Sequence, residues 1–213
     1  MSEPDVAITD FLLGAECAVL SALTLRGGGA TRAGRWFAAL YASVAAASVL
    51  GGVEHGFWPG TRGLTWKATL LCIGAAALSA FFAGSHLALP RTAGTQVRRA
   101  VAGLAVLYAA TVALWRSDFF VAIVGYLPSV LFLMAALYRA WKRTADRRLL
   151  WGIAGLAVTL AAAPLQQAGV GLHPRYLSHN ALYHVVQGLG FFLLLPAARA
   201  AAHPRRETHA IAS

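Results

Sequence analysis

Seven long apolar runs fill this chain, and its polar residues gather in the short stretches between them and in two clusters within them. The runs cover 6–25, 36–57, 64–89, 100–115, 119–140, 149–170 and 179–198. Most reach the roughly 18 apolar residues that read as a membrane-crossing helix. Helix is the open-chain choice at membrane depth, because a backbone exposed to lipid must satisfy its own hydrogen bonds. The fourth run is short and rich in alanine. The pattern predicts an all-α membrane protein: one seven-helix transmembrane bundle over residues 1–202, with a short basic tail over 203–213. Pro128, Pro164 and Pro196 lie inside the last three runs, where they free backbone carbonyls and kink helices. Small residues throughout the second, third and sixth runs permit close helix packing.

Composition supports the membrane. Only 12% of residues are charged and 58% are hydrophobic, with a mean hydropathy of +0.61, against about 25% charged in soluble domains. The formal net charge is +10. The basic residues sit in short loops, so they report topology, and anionic lipid headgroups are their expected counter-charge. No nucleic-acid motif is present. One set of alternate loops takes fourteen Lys and Arg, from Arg26 to Arg206. The other takes only Arg62, Lys67, Arg116 and Arg175, which completes the 18 of the chain. This bias predicts an N-terminus outside and a C-terminus in the cytoplasm. Trp36, Trp141 and Trp151 then fall at cytoplasmic helix ends, and Trp58, Trp66 and Trp115 at outer ends, as an aromatic belt does. Cys17 and Cys72 lie in apolar runs without a CxxC pattern and read as buried free thiols. The first run has no preceding Lys or Arg and no A-x-A-like site, and reads as a retained helix. The Ala/Gly/Arg-rich composition suits a GC-rich bacterial genome, and the bacterial inner membrane is the expected location.

Two clusters carry the candidate chemistry. Gly51-Gly52-Val53-Glu54-His55-Gly56-Phe57 closes the second run, and Leu177-Ser178-His179-Asn180-Ala181-Leu182-Tyr183-His184-Val185-Val186-Gln187 opens the seventh. The alternating topology places both in the outer leaflet, with Asp10 and Glu16 of the first run and Gln166 and Gln167 of the sixth. Ionisable groups at this depth are expensive and mark functional sites. Asn180, His184 and Gln187 fall at i, i+4 and i+7 and form one stripe. His179 and His184 are about 140° apart on a regular helix. They converge only if the first turn is irregular, with Ser178 as N-cap, or if a π-bulge intervenes. Gly51 and Gly52 leave room beside His55. His86 reads as interfacial at the opposite face, and His173, His203 and His209 as loop or tail residues. Lys67 reads as snorkelling to the outer interface.

Imidazoles of His55, His179 and His184 suit zinc, which takes neutral histidine nitrogens and, in catalytic sites, keeps a position for water. Such water has a pKa near 7 and attacks an ester or amide. Glu54, Asp10 and Glu16 are the candidates for proton transfer or ligand orientation. Asn180, Gln187 and Tyr183 stand as supporting polar groups around the ligands.

The arrangement resembles the superfamily of seven-helix membrane proteins that includes alkaline ceramidases and the progestin and adipoQ receptors. Gly-Gly-Val-Glu-His-Gly-Phe is similar to that family's Gly-Ser-x-x-Phe-His, with His55 in the ligand position. Ser-His-Asn-Ala-Leu-Tyr-His is similar to its His-x-x-x-His, with His184 as the second ligand. The resemblance spans the seven-helix layout and rests on these two short motifs. It implies a zinc site and hydrolysis of a lipid amide. The departures are specific. Gly51 stands where the family has serine, no residue of the third run matches its aspartate, and the histidine spacing in the seventh run is five, so Asn180 occupies the family's histidine position.

Three readings follow. The first is a zinc-dependent hydrolase of lipid amide or ester bonds, with membrane lipids as partners and substrates. The second is a non-enzymatic lipid-binding or sensing bundle whose polar cluster is structural. The third, a b-type haem between His55 and His184, is disfavoured by the shallow, polar surroundings. No inverted repeat or pair of broken helices points to transport.

Overall fold

The computed structural model describes residues 3–58 and 63–204; Arg62, Arg205, Arg206, His209 and the tail beyond residue 204 lie outside the described residues. The described chain forms helices α1 (Pro4–Leu25), α2 (Arg32–Phe57), α3 (Leu64–Ala88), α4 (Arg91–Leu114), α5 (Phe119–Thr144), α6 (Arg148–Gln167) and α7 (His179–Ala202). All seven are long and apolar enough to cross a membrane, and the chain is a multi-pass integral membrane protein.

The ends differ from the apolar runs where backbone hydrogen bonding, not hydropathy, decides. α4 begins at Arg91, nine residues before its apolar run, because a polar turn remains helical once it leaves lipid. α5 continues to Thr144 and stops where Ala145 turns left-handed at φ 54°. α6 stops early: Gly169 takes φ +68°, and Val170 N–H returns to the Leu165 carbonyl at 3.1 Å. α7 extends to Ala202, where Thr31 fastens it to the start of α2. The Thr31 hydroxyl donates to the Ala201 carbonyl (2.6 Å) and accepts from Gly34 N–H (3.1 Å). Pro128, Pro164 and Pro196 all lie inside unbroken helices.

Neighbouring helices close a ring in the order α1, α2, α3, α5, α6, α7 and back to α1, with α4 packed outside it on α3. α4 is held by Tyr108, whose ring lies between Gly74 of α3 and Gly125 of α5 and whose hydroxyl donates to the Leu70 carbonyl (2.8 Å). Most of α4 is otherwise exposed, including Leu104, Leu107 and Leu114, as suits a lipid-facing surface.

The two ends of the bundle are built differently. Where α1 and α7 end and α2 begins, the interior is solid: Leu20, Phe37, Tyr41, Leu133, Leu137 and Leu194 form one buried cluster. Tyr41 crosses the ring and donates to the Phe191 carbonyl at 3.1 Å. Cys17 lies in this cluster as a free thiol, whereas Cys72 is a free thiol only partly covered. At the other end, where α1 and α7 begin, the ring is hollow. A cavity of about 330 Å³ is lined by all six ring helices and by no residue of α4. An apolar groove of about 420 Å³ between α3, α4 and α5 shares Ile73, Ala77 and Tyr126 with this cavity as a common wall.

Glycine sets the closest approach in the ring. At Gly155 of α6 a Cβ would stand 2.4 Å from the Gly190 carbonyl oxygen of α7, so any side chain there forces two backbones apart. Gly155→Ala is expected to cost about 1–3 kcal/mol of stability. Gly103→Ala, which meets nothing within 4 Å, should leave the melting temperature in detergent unchanged or raised, since alanine is the better helix former.

Candidate functional site

The hollow end receives polar groups from all six ring helices, with Thr69 from α3 and Tyr126 and Ser129 from α5. α1 contributes Asp10, which is only 4% exposed. α2 contributes His55 and Ser48, α6 Gln166 and Gln167, and α7 Asn180, Tyr183, His184 and Gln187. Asp10 reaches this depth because α2 has no side chain opposite it: a Cβ on Gly51 would stand 3.0 Å from Asp10 Oδ2. A Cβ on Gly52 would stand 3.0 Å from the Phe11 ring. The room made by the two glycines is therefore taken by α1, not left beside His55.

Two histidine–carboxylate pairs stand at different depths. His184 Nε2 lies 3.4 Å from Asp10 Oδ1, and both side chains are nearly buried. Thr9 fixes the ring from its other edge. Its Oγ1 is 2.9 and 3.0 Å from the carbonyls of Asp5 and Val6, which take its proton, so it accepts from His184 Nδ1–H at 3.2 Å. Nε2 is then turned to Asp10. Nearer the rim, His55 Nδ1 lies 2.6 Å from Glu3 Oε2, and both groups are partly exposed. The His55 ring stands edge-on to Trp66 at 6.4 Å.

The remaining polar groups hold α6 and α7 in register. Gln166 Nε2 donates to Asn180 Oδ1 (3.0 Å), and Gln187 Nε2 donates to the Tyr183 hydroxyl (2.7 Å). Ser178 is the N-cap of α7, but its side chain makes no capping bond. Its N–H donates instead to Asp5 Oδ2 (3.0 Å), tying the starts of α7 and α1 together.

The predicted site residues therefore divide. His55, His184, Asp10, Asn180, Gln187 and Tyr183 line one cavity. His179 does not: α7 starts as regular helix, so its side chain is exposed and Asn180 takes the inward position. Glu54 is buried but off the cavity wall. Glu16 is half-buried and packs on α7, where a Cβ on Gly188 would stand 2.6 Å from its Oε2. Of the three carboxylates proposed for proton transfer, only Asp10 reaches the cavity. Sequence reading passed over Glu3, Thr9 and Asp5. Glu3 precedes the first apolar run, although the N-terminal Glu3-Pro4 pair could have been set at the level of His55.

Zinc asks for three protein ligands around one point. Among the described residues no three His, Cys, Asp or Glu side chains stand close enough together to hold a metal ion. The donor set implied by the family resemblance is not assembled, since His179 faces away and Nδ1 of His55 is engaged by Glu3.

These placements predict unequal effects for the two histidines of α7. His184→Ala strips a buried carboxylate of its partner and should cost about 1–3 kcal/mol in stability. His179→Ala should leave thermal melting of the detergent-solubilised protein within about 0.5 kcal/mol of wild type.

No curated protein and no solved structure is significantly similar to this chain. A family of unknown function, DUF6962, matches residues 6–203, which include every residue of the cavity wall. The chain belongs to that family.

Proposed function

We propose that this protein binds one amphiphilic, lipid-like molecule in its cavity, with the ligand's polar group against Asp10, His184 and Asn180 and its chain among Leu13, Val44, Ile73 and Phe191. The observation that carries the reading is the shape and chemistry of one continuous wall. Leu40 and His55 both line it, and the fifteen helical steps from one to the other rise about 22 Å. That exceeds one half of a hydrocarbon core about 30 Å thick. The wall carries its ionisable groups at one end and is mostly apolar along the rest, with hydroxyls at Ser48, Ser129 and Thr159, and its volume falls in the range of small-molecule sites, roughly 300–1,000 Å³. The excess of basic residues on the opposite loops supports a cavity opening toward the outer leaflet, with the C-terminus in the cytoplasm. The bacterial inner membrane is the setting we infer.

Filling the cavity tests the reading. Ala76 lines it and is only partly buried, so Ala76→Trp can occupy the space without opening the packed end. Mass spectrometry of extracted lipid should find about one amphiphile per wild-type chain and a large loss in Ala76→Trp, with melting unchanged. Equal lipid content in both proteins would defeat the proposal.

A second reading, zinc-dependent hydrolysis of a lipid amide or ester, is favoured by one observation: His55 and His184, from different helices, line the same cavity with Asp10 beside them. Metal content decides it. About one zinc per purified chain, lost in His184→Ala and in His55→Ala but kept in His179→Ala, would support it. Metal-free, folded protein after exposure to zinc would remove it.

A further inference from the structure

We infer that the cavity selects a cationic head, an ammonium or trimethylammonium group carried on a single alkyl chain; this rests on the amphiphile reading above. The first reason is the charge of the wall. Among its described residues there is no Lys or Arg. Asp10 is the one carboxylate among them, and the nearest group able to carry positive charge is the His184 imidazole 3.4 Å away. A carboxylate buried this deeply is costly as an anion unless a cation reaches it. An ammonium head entering the cavity supplies that cation. A phosphate, sulfate or carboxylate head would meet Asp10 with no Lys or Arg on the described wall to offset it.

The second reason is aromatic. Trp66, Phe119, Tyr126 and Tyr183 line the same polar end. The Trp66 and Phe119 rings are 6.5 Å apart and the Phe119 and Tyr183 rings 6.3 Å apart, as a continuous patch. Ring faces attract quaternary and primary ammonium groups, and more strongly where water is excluded.

The third reason is the field of the whole end. Glu3, Asp5, Asp10, Glu54 and Asp118 lie there, in a chain whose total charge is +10. Of the described basic side chains of the same end, Lys67, Arg116 and Arg175, two are directed elsewhere or engaged. Lys67 Nζ donates to the Ala113 carbonyl of α4, and Arg116 pairs with Asp118 at 2.9 Å. With Asp118 paired to Arg116, Glu3 and Asp5 at the start of α1 are the carboxylates that favour a cation's approach.

Full-length protein in phosphatidylcholine nanodiscs would be titrated with tetradecyltrimethylammonium, tetradecanol and tetradecyl sulfate. The readout is Trp66 fluorescence, taken as the difference from Trp66→Phe. The cationic amphiphile is expected to bind roughly tenfold or more tightly than the other two. Asp10→Asn should remove most of that preference, and Asp118→Asn, a carboxylate of the same end off the cavity wall, should preserve it. Equal binding of the three heads to wild type overturns the cationic preference and leaves the cavity reading standing. Binding of none of them takes the cavity reading down as well. Equal weakening by Asp118→Asn and Asp10→Asn would assign the effect to surface charge and overturn the site. The wild-type comparison of heads decides the matter even if Asp10→Asn fails to fold.

Discussion

A carboxylate held inside the membrane governs the hollow end of this protein. Asp10 sits there only because Gly51 offers no side chain, and it is matched there only by His184. Burying such a group without a partner is among the most expensive things a membrane helix can do. The neighbouring elements are arranged around that cost. Thr9 orients the imidazole, the Asn180–Gln166 bond fixes the start of α7 against α6, and Ser178 N–H returns to Asp5. Remove the carboxylate and the reason for this placement of α1, α2 and α7 disappears.

The opposite end provides the rigidity. Its aromatic and leucine cluster, the Tyr41–Phe191 crossing and the Thr31 clasp join the ends of α1 and α7 to the start of α2. Small-residue contacts, Gly34 against Ala202 and Gly152 against Ala197, draw the helices together around that cluster. A firm half and an open half on the same seven helices let the cavity persist without collapse, since closing it would require the packed half to move as well.

The architecture was legible because hydropathy and loop charge act on every residue of a span. Seven runs became seven helices, and errors fell at polar extensions such as 91–99, where hydropathy stops reporting and backbone bonding continues. The site was legible in part. The stripe Asn180, His184 and Gln187 follows from helical period and does face the cavity. His179 was favoured by its chemistry against its phase, and the phase prevailed. Glu3 and Thr9 were not legible, because their importance comes from which helix lies beside them. The purpose of Gly51-Gly52 was half legible: the glycines signal a close approach, but not that α1 is what approaches.

The ring order has a consequence for α4. α3 and α5 are neighbours in the ring, and both start at the hollow end, so they run parallel. Two parallel adjacent helices require the chain to return between them, and α4 makes that return outside the ring. It is a crossover connection, the membrane counterpart of the helix that links parallel strands in a βαβ unit. Its duties are to span the bilayer and to seat Tyr108 between Gly74 and Gly125. The remainder of its surface belongs to the lipid. Of the seven helices, α4 is the one whose sequence the cavity constrains least.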